Sequence, residues 1–393
     1  MTITTTMTTT ITIMTMTTMI KKLILINYSK APFEAFFFWK IYSGQNLVKQ
    51  IYYSIIGYAA YERKGEVMRH GDTRKKIGIL TSGGDAPGMN AAIRAIVRTA
   101  MYHNLQVFGI MRGYEGLIAA DFHEMTARSV ADIIHRGGTI LRTARCEDMM
   151  TDIGPDKAAQ VCNVLALDAL IVIGGDGSLN GAAKLAKRGV NVYGIPATID
   201  LDLSCTEYTI GFDTAVNTGM DAVNKIRDTS SSHERCSVVE VMGRNCGQIA
   251  LWIGMSGGAE EVMIPELKEI NEEAVIRQIM ENRGKGKHHN LILVAEGVGN
   301  SEDLARKIES VTGIETRATI LGHLQRGGIP TALDRVHAGM MGYLAVELFM
   351  EGAKNRVTVV KNGKYDNMDI FEALEEHKPY DHKTFEIIKI LSI

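Results

Sequence analysis

Ile77-Gly78-Ile79-Leu80-Thr81-Ser82-Gly83-Gly84-Asp85-Ala86-Pro87-Gly88-Met89-Asn90 decides the fold class: an apolar run breaks into glycines and an aspartate, then turns into an amphipathic pattern. The run Ile77–Thr81 is short and continuously apolar, as expected of a strand covered on both faces. Asn90–Tyr102 carries a helical period. Glycines between them let backbone N–H groups approach a phosphate, and the helix that follows turns its positive end toward the same anion. A tight strand-to-helix turn would account for this stretch taken alone.

Working outward, the pattern repeats. Further strands are expected at Val107–Ile110, Ala169–Ile173, Val192–Ile195, Ser237–Val241 and Leu291–Ala295, and helices at Thr214–Thr229 and Glu272–Asn282. Strand and helix in series predict a doubly wound α/β fold with mostly parallel sheets, whose ligands gather beyond the carboxyl ends of the strands.

The chemistry-bearing residues fall at those ends. Gly174-Gly175-Asp176-Gly177-Ser178 follows an apolar strand; its glycines make room for phosphates and Asp176 is a candidate Mg²⁺ ligand, although Asp-Gly turns are common. Pro196-Ala197-Thr198-Ile199-Asp200-Leu201-Asp202 sets two carboxylates two residues apart. One can take a proton from an attacking hydroxyl while the other orients it or holds metal; a solvated acidic loop is the bland alternative. The segments Arg227–Arg235, Met242–Gly247 and Thr316–Gly328 supply arginines and a histidine beside glycine and serine, a mixture suited to a phosphorylated substrate. Together they imply phosphoryl transfer. Neither a Walker A sequence nor the H-R-D set of protein kinases is present, nor a G-x-S-x-G elbow for acyl chemistry.

Composition fits this. The 393 residues suffice for two ordinary domains, and 46% hydrophobic with 22% charged residues is ordinary for a globular protein. A net charge of −2 gives no field favouring nucleic acid or an anionic membrane. Cys146, Cys162, Cys205, Cys236 and Cys246 are odd in number and irregularly spaced, which reads as reduced thiols in a cytoplasmic protein. No apolar stretch is long enough for a spanning helix. Residues 1–73 are set apart: the first twenty or so are mostly Thr, Met and Ile, and the segment is read as a disordered extension upstream of a start at Met68, with a regulatory or membrane-touching arm as the alternative.

The T-S-G-G-D-A-P-G-M-N stretch at 81–90, I-R-D-T-S-S-S-H at 226–233 and R-A-T-I-L-G-H-L-Q-R-G-G at 317–328 are long and specific. From about Lys75 to the end the chain resembles the phosphofructokinase family, in its short bacterial ATP-using form. The resemblance implies two α/β domains facing a cleft, divided as 74–211 plus 325–375 for ATP and 212–324 plus 376–393 for fructose 6-phosphate. It implies transfer of the γ-phosphoryl of ATP to the sugar 1-hydroxyl, giving fructose 1,6-bisphosphate and ADP in glycolysis. Residue by residue, Asp200 matches the general base, with Asp202 its partner and Thr198 a substrate-loop contact. Arg145 and Arg244 match arginines that stabilise the transferring phosphoryl. Gly84, Tyr114, Arg145, Cys146, Gly175, Asp176, Gly177 and Ser178 match the nucleotide site, Asp176 carrying Mg²⁺. Met242, Gly243, Glu296, His323 and Arg326 match sugar-phosphate contacts, and Arg235 and Arg317 match contacts donated by a neighbouring subunit of a homotetramer. Arg94, Arg98, Arg227, Glu260, Lys285 and Lys287 match an effector site for ADP or phosphoenolpyruvate.

Family members that use pyrophosphate usually carry Asp after the Gly-Gly-Asp and Lys before the Thr-Ile-Asp; Gly177 and Ala197 stand there, so ATP is the expected donor. The chain departs from the family pattern at Leu201, where Asn is usual, at Ala197 and Cys205 for Gly, at Gln248 for Asp, at Met150 for Arg, and at Ala127 and His288 in the effector set. A pyrophosphate-dependent enzyme and a catalytically weak regulatory or binding paralogue are the competing readings.

Overall fold

The computed structural model describes residues 73–267, 271–377 and 381–392. All but the last residue of the extension set apart above lies outside them.

Two mostly parallel sheets carry the fold. The first has seven strands: β1 (Lys76–Ser82), β2 (Gln106–Ile110), β3 (Phe122–Met125), β4 (Ala169–Gly174), β5 (Val192–Pro196), β10 (Arg356–Lys361) and β11 (Lys364–Asp369), in the order β11-β10-β5-β4-β1-β2-β3. Its inner strands are parallel, while the edge strands β3 and β11 pair antiparallel to their neighbours. The second sheet is β7 (Glu261–Met263), β8 (Asn290–Ala295), β6 (Cys236–Val241) and β9 (Thr316–Ile320), in that order and parallel throughout.

The apolar runs have the physical cause assigned to them. Alternate residues of a strand face opposite sides, and both sides are buried. Val239 and Val241 pack in a core with Ile249, Leu251 and Ile253 of α6 (Gln248–Gly257). Val238 packs on the other side with Ile276 and Ile279 of α7 (Glu272–Gly284) and Leu304 and Ile308 of α8 (Ser301–Thr312). In the first sheet Ile77 and Ile79 join Ile93, Ile96 and Val97 of α1 (Met89–Tyr102) and Met341 and Ala345 of α9 (Ala332–Met350).

Register then places the loops. Ser82 pairs with Gly174, and Gly174 with Pro196, so the turns after β1, β4 and β5 emerge side by side. In the second sheet Val241 pairs with Ala295, which sets the turns after β6 and β8 together.

The strands and helices expected from sequence form within a few residues of their expected bounds. Thr316–Ile320, read only as part of a substrate-binding segment, is a strand; its polar, half-exposed residues give no apolar run. β11, with the sequence KYDNMD, was equally illegible because an edge strand needs no buried face.

Candidate active site

The turns after β1, β4 and β5 enclose a cavity of about 380 Å³, and Arg145, Cys146, Arg244 and Arg326 complete its lining. Every residue that the sequence assigned to nucleotide binding or to catalysis lines this one cavity.

Close approach bears on glycine in two of the turns: backbone requires it at Gly174, while at Gly84 the neighbour is the tip of a side chain that can shift. A methyl on Gly174 would lie 2.5 Å from both the Ser178 hydroxyl and the Ser82 carbonyl oxygen. A methyl on Gly84 would lie 2.4 Å from Arg326 Nη1. Around Gly177, by contrast, a methyl meets nothing within 4 Å, so the space beside α4 (Asp176–Ala186) is open. Tyr114 lines the cavity but is largely buried: its hydroxyl donates to the Ser178 carbonyl at 2.6 Å and its ring packs where Gly181 has no side chain. It props the turn from beneath.

Asp200 is 2% exposed. The Thr198 hydroxyl oxygen accepts from the Asp200 amide at 3.2 Å, and the Thr198 carbonyl accepts from the Thr209 hydroxyl at 2.8 Å, fixing the turn. Arg244 Nε stands 3.8 Å and Arg326 Nη2 4.0 Å from Asp200 Oδ2. Oδ1 is buried and has no hydrogen-bond partner. Burial, then the neighbouring Asp202 carboxylate, push the Asp200 pKa up to about 6 against the pull of the two arginines. The residue between them, Leu201, is left-handed at φ 53. Asp202 and Asp176 are exposed at the cavity edge, and Asp176 Oδ1 accepts from Asn180 Nδ2 at 2.9 Å.

Arg326, matched to the sugar phosphate, has its guanidinium over the Gly84 turn, donating to the Asp85 carbonyl at 3.3 Å. Glu296 Oε1 accepts from the amides of Gly243 at 3.2 Å and Arg244 at 2.6 Å. Met242 is held by its amide on Gln325 Oε1 at 2.8 Å, and Gln325, fully buried, also donates to the Ala215 carbonyl. Sequence reading missed Gln325 as a support; only its place inside the 317–328 stretch hinted at it. His323 is exposed, and Arg235 and Arg317 share Glu315 at 2.7 and 2.6 Å; none of the three lines the cavity.

The effector set is part paired. Glu260 is buried against Lys287 at 2.8 Å, and Arg227 donates to the Gly258 carbonyl at 2.9 Å. Arg94 and Arg98 lie one turn apart on α1, and Lys285 is exposed. Met150, standing where the family often has Arg, is exposed at the cavity rim.

Among the described residues no group of three His, Cys, Asp or Glu side chains could enclose a metal. The exposed Asp176 carboxylate in the cavity is a donor that suits Mg²⁺, which takes one or two carboxylates and fills its shell with phosphate oxygens and water.

A family model described as Phosphofructokinase matches residues 76–349. The chain is 58% identical over 318 residues to an ATP-dependent 6-phosphofructokinase of Clostridium botulinum (strain Hall), covering 81% of this chain and 99% of that protein. It is 57% identical, over the same shares, to the protein of that name from Clostridium novyi. Phosphofructokinase of Saccharomyces cerevisiae superposes with a TM-score of 0.71 at 32% identity over 81% of this chain and 47% of its own, so the chain spans about half of that longer one. A pyrophosphate-dependent phosphofructokinase of Marinobacter aquaeolei superposes at 0.69 with 20% identity, over 80% of this chain and 91% of its own, a likeness of fold alone. No helix among the described residues is long and apolar enough to cross a membrane.

Proposed function

The chain belongs to the phosphofructokinase family, and from that premise we propose that it moves the γ-phosphoryl of ATP to the 1-hydroxyl of fructose 6-phosphate. The observation that carries this is Asp200 Oδ1: a buried carboxylate oxygen with no partner, in one cavity with two glycine turns and three arginines. An unpaired buried acceptor is costly, and a sugar hydroxyl that donates to it relieves that cost while giving up its proton.

Asp200 takes the proton as the hydroxyl oxygen attacks. With a pKa near 6 it is ionised at neutral pH yet basic enough to accept. Gly83 and Gly84 present N–H groups to the phosphoryl in transit, and Arg145, Arg244 and Arg326 offset its charge from the cavity wall. Asp176 would hold Mg²⁺, which when bound neutralises charge on the nucleotide phosphates. The open space at Gly177 leaves room for the rest of a nucleotide, which favours ATP over pyrophosphate as donor. The close relatives named for ATP support the same choice.

Each sheet with its helices forms one domain in this reading, divided as the sequence suggested. α9 packs on α1 of the first sheet, and α11 (His382–Leu391) on α6 and β7 of the second. The enzyme works in the cytoplasm as a homotetramer, with Arg235 and Arg317 serving the neighbour's sugar-phosphate site; both are held at the surface by Glu315. Leu333, Val336, Met340 and Tyr343 leave an apolar stripe on α9 that subunit contact would cover. ADP or phosphoenolpyruvate would bind the basic set around Arg227 and Lys287.

A coupled assay with fructose 6-phosphate, comparing ATP with pyrophosphate, tests the reading. Turnover with ATP is expected; turnover with pyrophosphate alone would make it the other kind of phosphofructokinase, and none with either would leave a binding protein.

A further inference from the structure

Arg244 reaches Asp200 from a backbone that resists that placement. Its φ is 53, in the left-handed region that a side-chain-bearing residue rarely enters, and Gly243 before it is at φ 141. Something must hold the pair there. The turn closes on itself through the Cys246 amide and the Gly243 carbonyl, 2.9 Å apart. Two consecutive residues beyond β8 lie against the turn. Glu296 Oε1 accepts from both the Gly243 and Arg244 amides. Gly297 lies so close to the Arg244 carbonyl that a methyl on it would come within 2.2 Å of that oxygen. The Glu296 amide is in turn bonded to the Val241 carbonyl at 2.8 Å, anchoring the clamp to the end of β6.

We propose that Glu296 and Gly297 are positioning residues for Arg244: a carboxylate grips the turn's N–H groups from one side while a bare Cα admits its carbonyl on the other. The pair so aims the guanidinium at the phosphoryl-transfer site. This rests on the role given to Arg244 above. It is separate from the sugar contact that the family resemblance implies for Glu296, since the clamp uses the Oε1 atom alone.

The test is kcat and KM for fructose 6-phosphate at saturating ATP on the full chain, for Arg244→Ala, Glu296→Ala, Glu296→Gln, Gly297→Ala and the double Arg244→Ala/Glu296→Ala, each checked by circular dichroism and thermal melting. Arg244→Ala is expected to lower kcat about a hundredfold. Glu296→Ala should lower kcat comparably, and the double variant should fall no further than Arg244→Ala, because both remove one interaction. Glu296→Gln, whose amide oxygen still accepts from both N–H groups, should recover most of the kcat. Gly297→Ala, which adds no polar group, should lower kcat with little change in KM; if it does not fold, the Glu296 pair carries the test. A Glu296→Ala that raises only KM, or a double variant whose losses multiply, overturns the clamp. So does a Glu296→Gln as impaired as Glu296→Ala. An Arg244→Ala with unchanged kcat instead overturns the role of Arg244 itself, and the clamp's catalytic meaning goes with it.

Discussion

Two buried aspartates sit in neighbouring parts of the molecule and have opposite surroundings. Asp334, in the first turn of α9, is fully buried and accepts four hydrogen bonds: from the Tyr208 hydroxyl at 2.8 Å, the Gly211 amide at 2.6 Å, the Thr214 amide at 2.9 Å and the Thr214 hydroxyl at 2.5 Å. Asp200, after β5, is nearly as buried but keeps Oδ1 without a partner, with two guanidinium groups no nearer than about 4 Å. Burial raises both pKa values, and at Asp334 the donors pull back. A buried carboxylate whose lone pairs are all used fixes structure: Asp334 ties α5 (Phe212–His233) and the preceding turn to α9. One with a lone pair to spare is poised for chemistry, at some cost to the fold.

The contrast is broken most directly at Asp200. Asp200→Asn should lower kcat by at least about 10³-fold, with KM changed far less; a kcat within tenfold of the parent, measured in the coupled assay, would remove Asp200 from the proton transfer. Asp334→Asn should do the opposite. It turns an NH₂ group toward donors and should cost about 2–4 kcal/mol in chemical denaturation, with kcat per folded enzyme nearly unchanged; equal stability would mean that the four bonds contribute nothing net.

The third effect has a sign set by pH. The folded-state pKa of Asp200 is raised from 3.8 to about 6, so its ionisation weakens the fold by up to about 3 kcal/mol as pH rises through that window. Asp200→Asn should therefore be more stable than the parent at pH 7, and the gain should vanish below about pH 4. The same ionisation should give kcat/KM an acid limb near pH 6, absent from the residual activity of the Asn variant. The smallest effect belongs to Leu201. Asn tolerates φ 53 better than Leu does, but Leu201 is also packed against the core. Leu201→Asn should shift stability by less than about 1 kcal/mol and leave kcat within about threefold. A larger fall in kcat would show that the apolar side chain itself aims Asp200.

The site was largely legible because its parts are local. Gly83-Gly84-Asp85, Gly174-Gly175-Asp176 and the Thr198–Asp202 run each follow an apolar strand, and parallel register alone brings such turns together. What was illegible depends on partners far off in the chain. Arg326 lies over Gly84, and Glu296 serves Arg244. Tyr114 supports Ser178 from below. Glu260 gives its carboxylate to Lys287 and the Leu291 amide. A motif names such residues without saying which neighbour takes up their hydrogen bonds.

The sequence by itself determined the alternation of strand and helix, the bare turns at the strand ends and the carboxylates beyond them, because periodicity and the missing Cβ of glycine act within a few residues. The tertiary structure alone decided which buried aspartate would be satisfied and which left with an open lone pair. It alone also set Arg244 in a left-handed turn beside Asp200. Both follow from donors and acceptors that only folding brings within 3 Å or so of one another.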